Sequence, residues 1–333
     1  MTFLSICIPT YNRADCIRHC LDSILGQWVE EVELVIVDGA SKDATPSIVG
    51  EYQQRYPFIK YFRRSENVGI DEDVLKCIEL ATGEYCWLMS DDDQFENGAL
   101  TEVLSKLKHY NGLSGASLGY VSYDVNMEFK IATVPALIGM DPSSDYQFSS
   151  LDECFSMLGM HLGYLSAQIV NRRLWCEVVS ICDLKPYMRS SWLMVFIIGS
   201  MLKRNPNWLY IAAPCIGNRT ANDSFVLRVG EFNRQLITHD SFPRIVADLF
   251  GSNSQVFAHI SSRIISRRMP RNLAKLKANN ISFRLQGDLF LLYTRKYWKY
   301  INYWLFVFPI FFIPNFIFTA TRFFYLKLRK YTN

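Results

Sequence analysis

Apolar residues in the first 125 positions come in short runs, each closed by turn formers or polar side chains. Phe3 to Ile8 ends at Pro9-Thr10-Tyr11-Asn12, and Val32 to Val37 ends at Asp38-Gly39-Ala40-Ser41. Phe58 to Phe62 is shorter, and Tyr85 to Met89 leads through Ser90 into three consecutive carboxylates, Asp91, Asp92 and Asp93. Bulky runs of this length bounded by turn residues predict buried strands. Between them the period changes. Ile17, Cys20, Leu21, Ile24 and Leu25 recur at helical spacing, as do Val74, Leu75, Ile78 and Ala81, and again Leu100, Val103, Leu104 and Leu107. Asp43 or Thr45 suits the cap of a further helix with Pro46 in its first turn, and Gly83 suits the end of the third. A last strand is expected near Leu118 to Tyr123. Strand and helix alternating in this way predict an α/β domain with a mostly parallel sheet and crossover helices.

In such sheets ligands bind outside the carboxyl ends of the strands. Thr10-Tyr11-Asn12, Asp38 and Asp91 to Asp93 therefore fall on one rim. Three ionised carboxylates repel one another and are not buried unpaired, so a cation is expected among them. Oxygen ligands at a strand end suit Mg²⁺ or Mn²⁺, which hold a few carboxylates and leave positions for phosphates. A rim with a hydroxyl, an aromatic ring and this cluster suits a nucleoside diphosphate. The plain alternative, a solvated acidic turn, does not account for the apolar strand that delivers the triplet. No GxGxxG follows the first strand and no GxxxxGK[ST] occurs, so dinucleotide and P-loop readings lose their usual support.

The segments Ser5-Ile-Cys-Ile-Pro-Thr-Tyr-Asn12, Val37-Asp-Gly-Ala-Ser-Lys-Asp43, Asn67-Val-Gly69, Ala81-Thr-Gly-Glu-Tyr85 and Leu88-Met-Ser-Asp-Asp-Asp93 stand in the order seen in family 2 glycosyltransferases. The chain resembles their nucleotide-sugar-binding, Rossmann-like GT-A domain over residues 1–125. What the resemblance implies is a transferase using a nucleotide-diphospho-sugar and a divalent metal held at a DXD motif. Pro9, Thr10 and Tyr11 would contact the nucleotide and Asp38 its base. Asp91 or Asp93 would ligate the metal, with Asp92 orienting a sugar hydroxyl or a water. A metal bridging the two phosphates stabilises the charge that grows on the leaving diphosphate. One departure concerns the VDDGS motif of many members: here Asp38 is followed by Gly39, which puts the base assignment in doubt by one position. From the middle of the chain, where the family commonly holds its general base, a clear Glu-Asp pair is absent, as is QxxRW. Asp183 and Asp223, each in a loop-like segment, are the leading candidates for that base.

Charge divides the chain. The 333 residues carry 35 Lys+Arg and 32 Asp+Glu, yet residues 260–333 hold 14 basic and 1 acidic side chains. Arg263, Arg267, Arg268, Arg271, Lys275, Lys277 and Arg284 interleave with Ile264, Ile265, Leu273 and Leu276, a basic amphipathic surface. Ile301 to Thr321 follows as 21 uncharged residues dense in aromatics and interrupted by Pro309 and Pro314. Such a tail predicts attachment to an anionic membrane surface by a kinked interfacial segment rather than a simple span. No nucleic-acid module surrounds the basic residues, so nucleic acid is not expected as a partner.

The expected organisation is a donor-binding half over 1–125, an acceptor-binding half over 126–255 and a membrane-associating region over 256–333. Nine cysteines without CxxC pairs indicate neither a zinc site nor a disulfide framework and fit a reducing compartment. The first residues read as a strand, not a signal peptide. The expected place is the cytoplasmic face of the plasma membrane, with an acceptor carried on a polyprenyl diphosphate. The rival class is a non-catalytic carbohydrate-binding or scaffold protein on a degenerate GT-A domain.

Overall fold

The computed structural model describes residues 2–134, 143–220, 222 and 224–321. The chain divides into two compact units, Met1–Asp223 and Ser224–Asn333.

The first unit opens as the apolar runs dictate. Strands β1 (Leu4–Thr10) and β2 (Val32–Asp38) are buried along their whole length, as a central strand covered on both faces must be. Helix α1 (Ile17–Leu25) turns Ile17, Cys20, Leu21 and Ile24 inward. Helix α2 (Thr45–Arg55) begins with Pro46 in its first turn, and β3 (Lys60–Arg63) follows. Helix α3 (Ile70–Leu80) leads to β4 (Tyr85–Leu88), and a two-residue strand β5 (Gln94–Phe95) precedes α4 (Ala99–His109). Next come β6 (Gly115–Tyr123), β7 (Lys130–Val134) and β8 (Tyr146–Phe148). Helix α5 (Leu151–Leu158), strand β9 (Gln168–Asn171), helices α6 (Arg172–Ile181) and α7 (Leu193–Arg204) and strand β10 (Trp208–Arg219) complete the unit.

The sheet runs β3-β2-β1-β4-β9-β6-β10-β5, with β7 on β6 and β8 on β10. Its longest ladders, β1 with β2 and β6 with β10, are parallel. The sequence predicts extended chain from Tyr164 to Val170. The structure instead makes short 3₁₀ turns at Gly159–Gly163 and Leu165–Ala167 and starts β9 only at Gln168. That strand enters antiparallel between β4 and β6, so the sheet is mixed. Register sets the site: Thr10 pairs with Asp38, and Cys7 with Leu88, so β1, β2 and β4 end on a common rim. Trp87 is fully buried, stacks on Phe95 at 4.1 Å and donates from Nε1 to the Ser166 carbonyl at 2.8 Å. The turn carrying Ser166 is thereby fastened to the strand that delivers the carboxylates.

The second unit is helical. Its basic stretch folds into successive helices that bury Ile264, Ile265, Met269 and Leu273 and leave most charges outward. Among the described residues no single helix is long and apolar enough to cross a membrane. Tyr303–Phe312 and Asn315–Thr321 form a pair bent by 97°, with Pro314 at the break. A proline there removes a donor and leaves helix carbonyls without partners. Lys277, 1% exposed, meets one of them: its Nζ donates to the Phe311 carbonyl at 3.2 Å and to Gln286 Oε1 at 3.0 Å. Gln286 Nε2 donates to the same carbonyl at 2.7 Å. The basic residues Arg322, Lys327, Arg329 and Lys330 lie outside the described residues.

Candidate active site

Three loops meet at the rim. After β1 the chain turns at Asn12, which takes a φ of +52° that asparagine tolerates better than most residues. Its amide donates to Ser41 Oγ at 2.9 Å and its Oδ1 accepts from the Lys42 amide at 2.8 Å. The Arg13 amide donates to Thr45 Oγ1 at 2.8 Å and the Ala14 amide to Asp43 Oδ2 at 3.0 Å. The loop after β1 is therefore laced to the loop after β2. Pro9 and Thr10 are buried in the strand end and Tyr11 is half-buried beyond them. Asp38 is fully buried, with Oδ1 accepting from the Ser41 amide and Oδ2 from Tyr61 Oη, both at 2.7 Å. Its carboxylate already organises this loop.

The three carboxylates of the next loop are not equivalent. Asp93 is buried and saturated: Oδ2 accepts from Tyr164 Oη at 2.7 Å and Ser166 Oγ at 2.6 Å. Its Oδ1 accepts from the Arg219 amide at 3.0 Å and Asn218 Nδ2 at 3.3 Å. Asp91 is buried too and faces Arg13, whose Nε lies 3.2 Å from Oδ1. Asp92 keeps the most exposed side chain of the three. Its Oδ1 accepts from Ser90 Oγ and its Oδ2 from Asn222 Nδ2 at 2.8 Å, with Arg13 Nη2 at 3.7 Å.

Burial, reinforced by the neighbouring Asp92 charge, pushes the Asp91 carboxyl up to about 7, against the pull of Arg13. The same two causes push Asp93 up to about 7, against its bonds to Ser166, Tyr164 and the Arg219 amide. Negative charge is thus held at the rim at a cost, as a site poised for a cation requires. Among the described residues no three His, Cys, Asp or Glu side chains converge on one point as a metal cage. That is compatible with Mg²⁺ or Mn²⁺, which bind through one or two carboxylates and complete their shell with water and substrate phosphates. The all-oxygen set of Asp91 and Asp92 fits such an ion. Asp93 does not present a vacant lone pair to one, because four donors already fill it.

A wall of rings stands beside Asp93. Tyr164 packs on Tyr120 at 4.7 Å, His161 stacks on Tyr120 at 5.7 Å, and His161 and Tyr164 meet edge to face at 6.4 Å. Burial lowers His161 to about 4, so it is a neutral packed ring with Nε2 3.1 Å from the Leu118 carbonyl. Arg219 directs its guanidinium to backbone carbonyls, Nε to Asp92 at 3.0 Å and Nη1 to Val125 at 2.6 Å. It holds the acidic loop in shape.

Of the two candidate bases, Asp183 is exposed on the turn after α6, accepts the Lys185 amide at 3.1 Å and takes no part in the cluster's hydrogen bonds. Asp223 lies outside the described residues. The sequence reading missed Arg13, Tyr164, Ser166, Asn218 and Asn222 as site residues. For Arg13 a signal existed, the need for a cation among three carboxylates. It missed Asp71 as well, whose carboxyl is raised to about 6 by burial although it accepts the amides of Arg189 and Ser191. Those two residues both sit at a φ of +61°, so Asp71 holds a strained turn.

Residues 5–157 match the sequence profile of glycosyl transferase family 2. An abequosyltransferase of Salmonella typhimurium is 29% identical over 261 residues, 75% of this chain and 76% of that protein. A GalNAc(5)-diNAcBac-PP-undecaprenol beta-1,3-glucosyltransferase of Campylobacter jejuni is 31% identical over 107 residues, 32% of this chain and 35% of that protein. The solved mannosyltransferase of Pyrobaculum calidifontis, in complex with GDP-Man and Mn²⁺, superposes with a TM-score of 0.54 at 15% identity, covering 96% of this chain and 86% of that one. At that identity the likeness establishes the fold, a mixed α/β sheet of the GT-A kind.

Proposed function

We propose that the chain, whose residues 5–157 match the glycosyl transferase family 2 profile, moves a sugar from a nucleotide-diphospho-sugar onto a polyprenyl-diphosphate-linked oligosaccharide in O-antigen-type polysaccharide assembly. The observation that carries this reading is the shared rim, where the ends of β1 and β2 meet the carboxylate loop after β4. Pro9, Thr10 and Tyr11 would line the nucleotide, and Asp38 would shape the loop at its base end. A divalent cation, when bound, would neutralise the leaving diphosphate as a Lewis acid. Asp91 and Asp92 would hold it, and Asp93 would fix their loop to the ends of β9 and β10. The Mn²⁺ of the Pyrobaculum neighbour supports the cation assignment.

The best donor candidate is CDP-abequose. It rests on the similarity to the Salmonella abequosyltransferase over three quarters of the chain. The undecaprenol-linked substrate named for the Campylobacter relative supports the lipid-linked acceptor. An acceptor of that kind sits at the membrane surface, and the basic, aromatic C-terminal part would keep the enzyme on the cytoplasmic face.

Calorimetry with a panel of nucleotide-sugars, with and without Mn²⁺ or Mg²⁺, tests the reading. Metal-dependent binding is expected, tightest for a CDP-linked 3,6-dideoxyhexose. A protein that bound no nucleoside diphosphate under any condition would be the non-catalytic scaffold instead.

A further inference from the structure

We propose that Asp73, on α3, reads the base of the donor nucleotide, its Oδ2 accepting a hydrogen bond from an N–H on the edge of a pyrimidine seated over Gly39. The inference rests on the donor reading above, which puts the base beside the end of β2. It moves base recognition from Asp38 to a carboxylate that the sequence does not single out.

Asp38 is already engaged through both oxygens. Oδ1 accepts from the Ser41 amide and Oδ2 from Tyr61 Oη, with Arg63 Nε 3.6 Å from that second oxygen. Asp73 has only one oxygen engaged, the Oδ1 that accepts from Arg64 Nε. Arg64 is itself fixed, its amide on the Asp38 carbonyl at 2.9 Å and its Nη2 on the Glu72 carbonyl at 2.8 Å. Among the described residues none donates a hydrogen bond to Asp73 Oδ2. That oxygen faces Gly39, where an added Cβ would lie 2.7 Å from it, and Asn67 Nδ2 is 3.7 Å from the same point. Ala40, next in the chain, is held at a φ of +67°, a left-handed conformation uncommon for alanine.

Asp73 is 3% exposed, and a carboxylate so buried ordinarily has a donor on each oxygen. Burial, with the Asp38 and Glu72 charges, pushes its carboxyl up against the pull of Arg64. A ligand N–H reaching Oδ2 would relieve that cost. Pyrimidine edges carry one, the exocyclic amine of cytosine or the ring N–H of uracil, each beside an acceptor that an amide such as Asn67 Nδ2 can meet. A side chain at position 39 would take the space this edge needs, so glycine there and Asp73 opposite it serve one purpose.

Calorimetry with Mn²⁺ present and two matched ligand pairs tests this. One pair is CDP and CDP dimethylated on its exocyclic amine; the other is UDP and UDP methylated on its ring N–H. The second member of each pair lacks the group that would meet Asp73. Wild type should prefer the unmethylated member of at least one pair by about tenfold or more, the size of a hydrogen bond to a charged group. The pair that shows the preference identifies the base. Asp73→Ala should weaken the preferred ligand by a similar factor and bind both members of its pair about equally, which losing a merely structural carboxylate would not produce. Thermal melts establish that the variant folds. Asp73→Asn, which keeps the shape without the charge, serves if it does not, and should cut the preference severalfold. A folded Asp73→Ala protein with the wild-type preference, or wild type that bound both members of both pairs equally, would overturn the role of Asp73 and leave the transferase reading standing. Wild type that bound no nucleoside diphosphate at all would overturn both.

Discussion

A Cβ placed on Gly39 would lie 2.7 Å from Oδ2 of Asp73, closer than real contacts allow. Asp73 is buried, is held by Arg64 Nε through its other oxygen, and Arg64 in turn donates its amide to the Asp38 carbonyl at 2.9 Å. A carboxylate from α3 therefore fills the place where the second acid of the VDDGS pattern would project.

Gly39→Asp should then be strongly destabilising, since it sets two buried carboxylates against each other; a loss of about 2–4 kcal/mol is expected. Asp73→Ala alone takes the carboxylate from Arg64, which keeps its bond to the Glu72 carbonyl, and should lose less, about 1–3 kcal/mol. The double variant should recover most of the loss, because the new carboxylate can reach Arg64. Denaturant unfolding of all four proteins measures the coupling, and strictly additive losses would show that the two positions do not share one space.

The first four strands and their helices were legible because each apolar run is local and each ends in a turn former. Strand β9 was legible only in part: extended chain is expected from Tyr164, but the turns at Gly159–Gly163 and Leu165–Ala167 carry no periodic signal, so its start at Gln168 was not. The carboxylate loop could be picked out, but not the differing environments of its members. Those are set by residues far along the chain: Tyr164 and Ser166 reach Asp93 across 71 and 73 positions, and Arg219 across 126. A strand-end motif reveals which residue types face a rim. Which of them is saturated by hydrogen bonds depends on chain returning from elsewhere.

Proton binding at the cluster gives a directional pH effect. Asp91 and Asp93 are raised from the ordinary 3.8 to about 7. Below about pH 4 both carboxyls are protonated folded and unfolded, so they contribute no pH dependence. As pH rises from 4 to 7 the unfolded chain ionises first, the folded state holds more protons, and stability falls until it levels above 7. The cation-free wild type should therefore lose stability relative to Asp93→Asn across this window. Mn²⁺ affinity should move the other way, rising by up to about tenfold per pH unit below 7, because the ligands must be ionised. Flat profiles for both quantities would refute the raised values.

The hydroxyls on Asp93 should show their own pH signature. Ser166 Oγ donates to Oδ2 at 2.6 Å and Tyr164 Oη at 2.7 Å. Hydrogen bonds to an ionised carboxylate contribute about 1.5–3 kcal/mol each, more than those to a neutral acid. Ser166→Ala and Tyr164→Phe should each lower stability by about that amount at pH 8 and by distinctly less at pH 5, where Asp93 is protonated. Equal losses at the two pH values would mean that the bonds do not favour the charged form.

The proposed attachment to membranes would draw on two forces, which salt separates. Each Lys or Arg near an anionic leaflet contributes about 1 kcal/mol, which salt screens. Burying one large apolar side chain contributes about 1.5–3 kcal/mol and survives salt. The bent pair leaves Leu305, Phe312 and Phe316 at least 60% exposed, and Ile301 beside it is 68% exposed. High salt should therefore leave the protein on anionic vesicles, whereas detergent should release it. Deleting the segment is a poor test, because Tyr303, Val307 and Phe311 are buried in the unit's own core. Phe312→Ser with Phe316→Ser alters only exposed rings and should keep the fold while making attachment salt-sensitive, through basic residues such as Arg267, Arg268 and Arg284. Wild type that washed off completely in high salt would show that these rings do not enter the membrane.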